Sequence, residues 1–186
     1  MTSVISLSTD DLNQALINEL RERFGSARLD IVVSEEAESG RMTPRLFWDY
    51  IDRLDWTASN DTTIVAPLID LLQQQEPADI YSFEAYLSKC LYQLDTEAHA
   101  AVFGPDYLSP DDFLYARAAV VANGKAIFET VLEYPGKMPT EVSFEPLLYV
   151  ARTAYEKKTG KEMDYFPLYS YETYSNKAGW PSRNVA

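Results

Sequence analysis

The sequence predicts a mainly α protein, an irregular five- to six-helix bundle with a small N-terminal strand-helix-strand attachment. Three observations support this fold class. Apolar residues recur at helical spacing through most of residues 43–160, and capping residues followed by proline open two of these segments. Alternation typical of β-strands is confined to the N-terminal residues and the tail. A chain of 186 residues can bury a core without disulfides or a metal.

The N-terminal unit comprises residues 1–42. Ile5 and Leu7 alternate with serines as a short half-buried strand would, and residues 9–11 cap a helix that ends at Gly25. Residues 29–33 form the second predicted strand, and the acidic stretch after them is typical of a linker. Because two strands alone are only marginally stable, we expect them to pair with another segment, for which the tail is the candidate.

The main domain, residues 43–163, is predicted to be helical throughout. Its third helix should run from about Asp79 toward Ala101, and its last helix should stop at Gly160. Pro67 predicts a kink or a later start in the second helix. The helices are predicted to begin at Thr43, near Asn60 or Asp61, near Asp79, at Ser109, after Asn123-Gly124 and near Ser143.

The tail, residues 164–186, is rich in aromatic side chains. Its residues 166–174 are β-prone, and Trp180 follows them. Since so many aromatic side chains rarely stay exposed, we expect the tail to pack on the body rather than to contact a partner.

Composition narrows the function classes. The chain has 29 acidic and 16 basic residues and a formal charge of −13, which argues against binding to nucleic acid or to an anionic membrane. A single cysteine, Cys90, excludes an intramolecular disulfide framework. Without a signal-peptide pattern or an apolar run long enough to span a bilayer, the sequence predicts a cytoplasmic protein.

Five segments of the main domain carry a family resemblance. They are LFWDYI at 46–51, DDFLYAR at 111–117, GKAIFE at 124–129, FEPLLYVA at 144–151 and AYEKKTG at 154–160. In this order they resemble an uncharacterised bacterial domain family that also occurs fused in molybdate-metabolism-regulator-like proteins. The resemblance covers about residues 44–163. It implies a helical domain and no established activity.

Residue sets for catalysis are missing. The one histidine, His99, has no nucleophile near it in sequence, so we expect it to be a capping or packed residue. Cys90 is expected to be a buried apolar residue, and Asp111 and Asp112 to be helix-start acids. With neither a calcium loop nor a phosphate loop, no cofactor, no metal and no catalytic residue is predicted. The pattern favours a binding protein over an enzyme.

Arg117 falls on the apolar stripe that Phe113 and Val120 define, and a buried guanidinium needs a partner. We expect an ion pair with Asp112 or Glu129, so that removing Arg117 chiefly damages stability. The competing interpretation is a ligand site. A candidate pocket between the helices, lined by Trp48, Tyr115 and Arg117, would make the protein an enzyme or a small-ligand sensor.

Acidity is concentrated in residues 43–108, which carry eleven acidic and three basic side chains, Glu84 among the acids. Such a field can steer a basic partner, although a solvated face that only aids solubility is an equal alternative. The leading hypothesis is an acidic protein-binding module. Its most concrete form is an immunity or antitoxin-like protein that occludes the active site of a basic toxin, with Asp49, Asp52, Asp55 and Asp61 as partner-binding residues.

Overall fold

The computed structural model describes residues 42–104 and 108–183, together with residues 17, 18, 20, 21 and 25. Between residues 42 and 183 the described residues form seven α-helices and no strand, which confirms the predicted mainly helical fold class. The strand-helix-strand unit lies outside the described residues. In chain order the helices are α1 Pro44–Ile51, α2 Asp61–Leu72, α3 Pro77–Leu94, α4 Glu97–Ala100, α5 Pro110–Ala122, α6 Lys125–Glu133 and α7 Val150–Thr159.

Three helices begin at the positions that the capping residues in the sequence predicted. The side chains of Thr43, Asn60 and Ser109 accept hydrogen bonds from the backbone N–H groups three residues further on, at 3.1, 3.1 and 3.3 Å. These caps satisfy donors that the first turn of a helix leaves unpaired. Pro67 does not delay the second helix, which begins at Asp61.

The prediction that the third helix continues to Ala101 is wrong. α3 ends at Leu94, Asp95 leaves the helical conformation, and Thr96 caps the separate short helix α4. The break has a tertiary cause, because the carboxylate of Asp95 accepts hydrogen bonds from backbone groups of the tail. The last helix also begins later than Ser143: a 3₁₀ turn spans Glu145–Tyr149 before α7 starts.

α5 lies at the centre of the bundle and is buried on nearly all its faces. It packs against α3, α6 and the Glu145–Tyr149 turn, while α7 packs against α2 and α3. Four alanines on α5 allow the neighbouring helices to approach closely. The largest fully buried apolar side chains include Phe47, Phe83, Phe113, Leu91 and Leu147. None of the described helices is both long and apolar enough to cross a bilayer.

The described part of the tail contains no strand, so the β-prone residues 166–174 do not form the strand for which the tail was the candidate. Two 3₁₀ turns, Lys177–Gly179 and Pro181–Arg183, are its regular structure. Its backbone groups hydrogen-bond to side chains of the body instead of to another strand, and Tyr165, Leu168 and Trp180 are buried. The tail therefore completes the core of the helical domain.

Candidate functional sites

The connection between α1 and α2 forms an acidic surface. Asp49 and Asp52 lie at the end of α1, Asp55 lies in the loop and Asp61 opens α2, and all four are exposed. The loop turns back on itself because the backbone N–H of Asp55 donates to the carbonyl of Ile64 at 3.0 Å. We call residues 49–61 the acidic corner.

The corner carries four aspartates and one arginine, Arg53, and among the described residues Asp49 alone of the four aspartates forms an ion pair. Asp49 lies 3.8 Å from Arg45 in an exposed pair, which is a weak interaction in water. Asp52 and Asp61 form no ion pair with any described residue. Asp55 accepts hydrogen bonds from the hydroxyl and the backbone N–H of Thr57 at 2.6 and 3.0 Å, and these bonds hold its pKa below the usual range. Asp55 is therefore ionised at neutral pH.

Four of the other acids in residues 43–108 have a nearby lysine or are buried. Asp70 lies 3.6 Å from Lys157, and Glu76 lies 3.9 Å from Lys158, both on α7. Glu84 and Asp95 are buried. The acidic corner therefore holds four exposed aspartates close together in the chain, whereas two further exposed acids of residues 43–108 lie beside the lysines of α7.

Trp56 lies within the acidic corner and was not singled out by the sequence analysis. Its side chain is 50% exposed, and its ring packs on Phe144 with the ring centroids 5.0 Å apart. The available signal was a tryptophan directly after Asp55 in the connection between the first two helices. The packing holds the ring in place and leaves one side of it open to solvent.

Arg117 is fully buried, as predicted, but the groups that pair with its guanidinium are not the predicted ones. Its guanidinium donates to the carbonyls of Leu91 and Tyr171 at 2.9 and 3.0 Å and to the hydroxyl of Thr173 at 2.9 Å. The expected ion pair with Asp112 or Glu129 is wrong, since Glu129 pairs with Lys125 at 3.6 Å and the tail supplies the acceptors for Arg117. Burial lowers the pKa of Arg117 to about 10, which leaves it charged.

The three residues of the predicted pocket lie in different environments. Trp48 is buried against Phe47 and Phe128, with ring centroids 4.9 and 5.3 Å apart. The hydroxyl of Tyr115 donates to Glu145 at 3.2 Å, whereas Arg117 is covered by the tail. None of the three lines either of the two cavities described below.

His99 is a packed residue, as predicted. Its Nε2 lies 3.1 Å from the carbonyl of Val131, which can only accept, so Nε2 carries the proton and Nδ1 accepts from the hydroxyl of Thr96 at 2.7 Å. Burial lowers the pKa of His99, which keeps it neutral. Burial also raises the pKa of the Cys90 thiol to about 12, so it is unreactive. In the described part of the chain no three His, Cys, Asp or Glu side chains converge to hold a metal.

A cavity of about 280 Å³ lies between α3, α7 and the tail. We call it the Glu84 cavity. A second cavity, of about 350 Å³, lies between α4 and the end of the tail and is lined by Glu97, Trp180 and Arg183, among others. The residues that characterise the Glu84 cavity are Glu84, Leu148, Arg152, Met163, Phe166 and Tyr171.

Glu84 is the unusual residue of its cavity. From sequence it is one of the eleven acids of residues 43–108, but its side chain is buried and forms no hydrogen bond or ion pair with a described residue. Burial raises its pKa to about 7, although the positive charge of Arg152 opposes the shift. The signal was its spacing, because Glu84 falls between Ile80 and Leu87 on the apolar stripe of α3.

Comparison with known proteins identifies a family without an activity. A family model described as a protein of unknown function, DUF4240, matches residues 42–157. The match runs from α1 into α7, so it includes the acidic corner, Glu84 and Arg152 and leaves out the tail that covers Arg117. No curated protein and no solved structure matches the chain.

Proposed function

Since the chain belongs to the DUF4240 family, whose function is unknown, we propose from its own surface that it is a protein-binding module. The acidic corner is its docking surface, and the partner is a basic protein. The observation that carries this proposal is the half-exposed Trp56 among four exposed aspartates, of which Asp49 alone forms an ion pair with a described residue.

Charge supplies the attraction. An exposed field of one sign raises the association rate of an oppositely charged protein and orients it as it approaches. The effect is strong only within about 8 Å at physiological ionic strength, so it favours a partner whose lysines and arginines reach the corner itself. Asp49, Asp52, Asp55 and Asp61 are the carboxylates that would pair with them.

Trp56 supplies the anchor. Tryptophan is enriched among the few residues that dominate binding energy, because a large rigid ring buries much area at little entropic cost. Phe144 supports the inner face of the ring, so the indole is held before a partner arrives. A guanidinium of the partner can also stack on the open face of the indole.

The most concrete form of this function is an immunity or antitoxin-like protein. A toxin that acts on an anionic substrate needs a positively charged active site, and an acidic protein can occupy that site. Inhibition would then be steric, with the acidic corner covering the entrance. This role is the part of the proposal that only an identified partner can test.

The test begins with an affinity capture of the tagged protein from its own host, eluted in steps of rising salt. A purified basic partner is then titrated against the wild type and against Asp49→Asn/Asp55→Asn/Asp61→Asn and Trp56→Ala. We expect each variant to bind at least about tenfold more weakly, and the triple variant to lose much of the salt dependence. A toxin partner should also lose its activity when the wild-type protein is added.

A matched control removes the same charge elsewhere. Glu141, Glu156 and Glu162 are exposed and lie outside the acidic corner, so their triple change to glutamine should leave affinity nearly unchanged. If this control weakens binding as much as the corner variant does, only net charge matters and the acidic corner is not the docking surface. Unchanged affinity in both corner variants would also contradict the proposal.

A small-ligand sensor is the second candidate. The resemblance to domains fused in molybdate-metabolism-regulator-like proteins supports a sensing role, and a cavity with a buried carboxyl group supports a ligand site. The cavity, however, is formed around Glu84 and not around Trp48, Tyr115 and Arg117. The chemistry of that cavity decides which ligand it could take.

A further inference from the structure

Three charged side chains line the Glu84 cavity, Glu84, Arg152 and Glu172, and none of them forms an ion pair with a described residue. Glu84 lies in the cavity wall with its side chain more than nine-tenths buried, and it accepts no hydrogen bond from any described residue. Arg152 is exposed and forms no ion pair among the described residues. The two are near enough for the charge of Arg152 to lower the pKa of Glu84, yet they do not pair.

The carboxyl group of Glu84 lines the cavity, so donors to it come from that side. Buried carboxylates are ordinarily satisfied by N–H or O–H groups, because burying an unpartnered one costs stability. The backbone donors of α3 are used within the helix, so Glu84 can be satisfied only from the cavity side. An ammonium group provides both the donors and the charge that an ionised Glu84 lacks.

Arg152 provides the positive charge that could bind a negatively charged group of a ligand. A guanidinium offers parallel N–H donors whose geometry matches a carboxylate. It projects from α7, whereas Glu84 projects from α3, so the two charges enter the cavity from different elements. A ligand complementary to both must carry an ammonium and a carboxylate.

The rest of the wall combines apolar side chains with the polar Ser170, Tyr171 and Glu172, and the space is small. Leu148, Met163 and Phe166 contribute apolar surface, and Phe166 is 48% exposed. About 280 Å³ is at the lower end of the volumes of small-molecule sites. The ligand is therefore small and has an apolar part.

We propose that the Glu84 cavity binds a free amino acid that has an apolar side chain. Its ammonium group lies on Glu84, and its carboxylate lies on Arg152. Its side chain contacts Met163 and Phe166. This site is separate from the acidic corner, so the proposal of amino-acid binding does not depend on the proposed partner binding.

The first experiment compares one zwitterion with its two singly charged analogues. The full chain is titrated with L-phenylalanine, with phenethylamine, which lacks the carboxylate, and with 3-phenylpropionate, which lacks the ammonium group. Ligand-observed NMR and calorimetry measure affinity, and L-leucine and L-methionine extend the series. We expect saturable binding of the amino acids and at least about tenfold weaker binding of both analogues.

Two variants assign each charge to its residue. Glu84→Gln should weaken L-phenylalanine and phenethylamine but not 3-phenylpropionate, whereas Arg152→Gln should weaken L-phenylalanine and 3-phenylpropionate but not phenethylamine. The matched controls are Glu156→Gln, an exposed carboxylate on α7, and Arg53→Gln, an exposed arginine outside the cavity. Both controls should bind as the wild type does.

Proton release gives an independent readout. Glu84 has a pKa of about 7 and must be ionised to hold an ammonium group, so binding at pH 7 should release a fraction of a proton. The other groups that face it are Arg152, Tyr171, whose pKa burial raises to about 12, and Glu172 at the rim. Calorimetry in buffers of different ionisation enthalpy measures the release, which Glu84→Gln should abolish.

Three results would overturn the proposal. The first is no saturable binding of L-phenylalanine, L-leucine or L-methionine at concentrations up to about 10 mM, because a dissociation constant above that value corresponds to negligible affinity. The second is equal binding of either singly charged analogue, which would remove the zwitterion assignment. The third is binding that both cavity variants leave unchanged while their spectra show an intact fold.

Discussion

Glu84 and Asp95 are two buried carboxyl groups on the same stretch of chain with opposite surroundings. Asp95, just after α3, accepts hydrogen bonds from the backbone N–H groups of Tyr174 and Asn176 at 3.1 and 3.0 Å and from the indole of Trp180 at 3.0 Å. Glu84, in the middle of α3, accepts none from the described residues. One carboxylate is enclosed by the tail and the other faces a cavity.

The difference separates a structural acid from a candidate functional one. The donors around Asp95 hold the tail on the body, and one of them belongs to Tyr174, whose backbone has the uncommon left-handed φ of 75°. The carboxylate thus stabilises a conformation that the chain would not adopt alone. Glu84 holds no other described segment in place through a hydrogen bond or an ion pair, and its burial is unfavourable when it is ionised.

Removing Asp95 should have the largest effect. Asp95→Ala leaves the indole N–H and two backbone N–H groups unpaired in the interior. It also removes the carboxylate whose negative charge raises the pKa of Arg117 most. We expect a loss of about 3–5 kcal/mol in the free energy of unfolding, measured by chemical denaturation. Amide exchange in residues 171–180 should rise at the same time.

Glu97→Ala is the matched control for Asp95. Glu97 also accepts a bond from the tail, from the backbone N–H of Ser182 at 3.3 Å, but that contact is exposed. Its loss should cost less than about 1 kcal/mol. Equal losses in the two variants would mean that burial does not distinguish the two contacts, and the comparison between structural and functional acids would then lose its basis.

Glu84→Gln should have an intermediate effect of the opposite sign. The pKa of Glu84 is about 7 in the folded protein, whereas the ordinary pKa of glutamate, which applies to the unfolded chain, is 4.5. Between these two pH values the folded state therefore keeps a proton that the unfolded state has released. Wild-type stability therefore falls as pH rises through this window. The amide mimics the protonated acid, so the variant should be more stable by about 3 kcal/mol at pH 8 and about equal at pH 4.

Denaturation of both proteins across pH 4–8 measures this effect. The difference between the two free energies of unfolding should grow steadily from low to high pH. A difference that does not depend on pH would show that Glu84 remains ionised throughout, with donors that the structure does not show. The cavity would then lack the unpartnered acid on which the amino-acid site depends.

Asp49→Asn should have the smallest effect, because Asp49 is exposed and its pair with Arg45 is long. Surface substitutions of this kind change the free energy of unfolding by at most about 0.5 kcal/mol. Thermal melts of Asp49→Asn and Arg45→Gln should both overlay the wild type. A large loss would mean that the acidic corner contributes to folding and is not free for a partner.

The sequence by itself determined where most helices begin and which residues form the core. Thr43, Asn60 and Ser109 act through hydrogen bonds that span three residues, and the apolar stripe of α3 depends only on helical periodicity. The resemblance to an uncharacterised domain family was confirmed for the same reason, since it rests on these local segments, whereas the occurrence of that family in molybdate-metabolism-regulator-like proteins stays a prediction. The N-terminal unit and the domain boundaries stay predictions.

Tertiary structure decided which acids are buried and which lie beside a positive charge from another helix. The break after α3, the acceptors of Arg117 and the enclosure of Asp95 all depend on a tail that lies 54 to 85 residues away along the chain. Charge and burial are properties of surroundings in three dimensions, and sequence patterns report only neighbours along the chain.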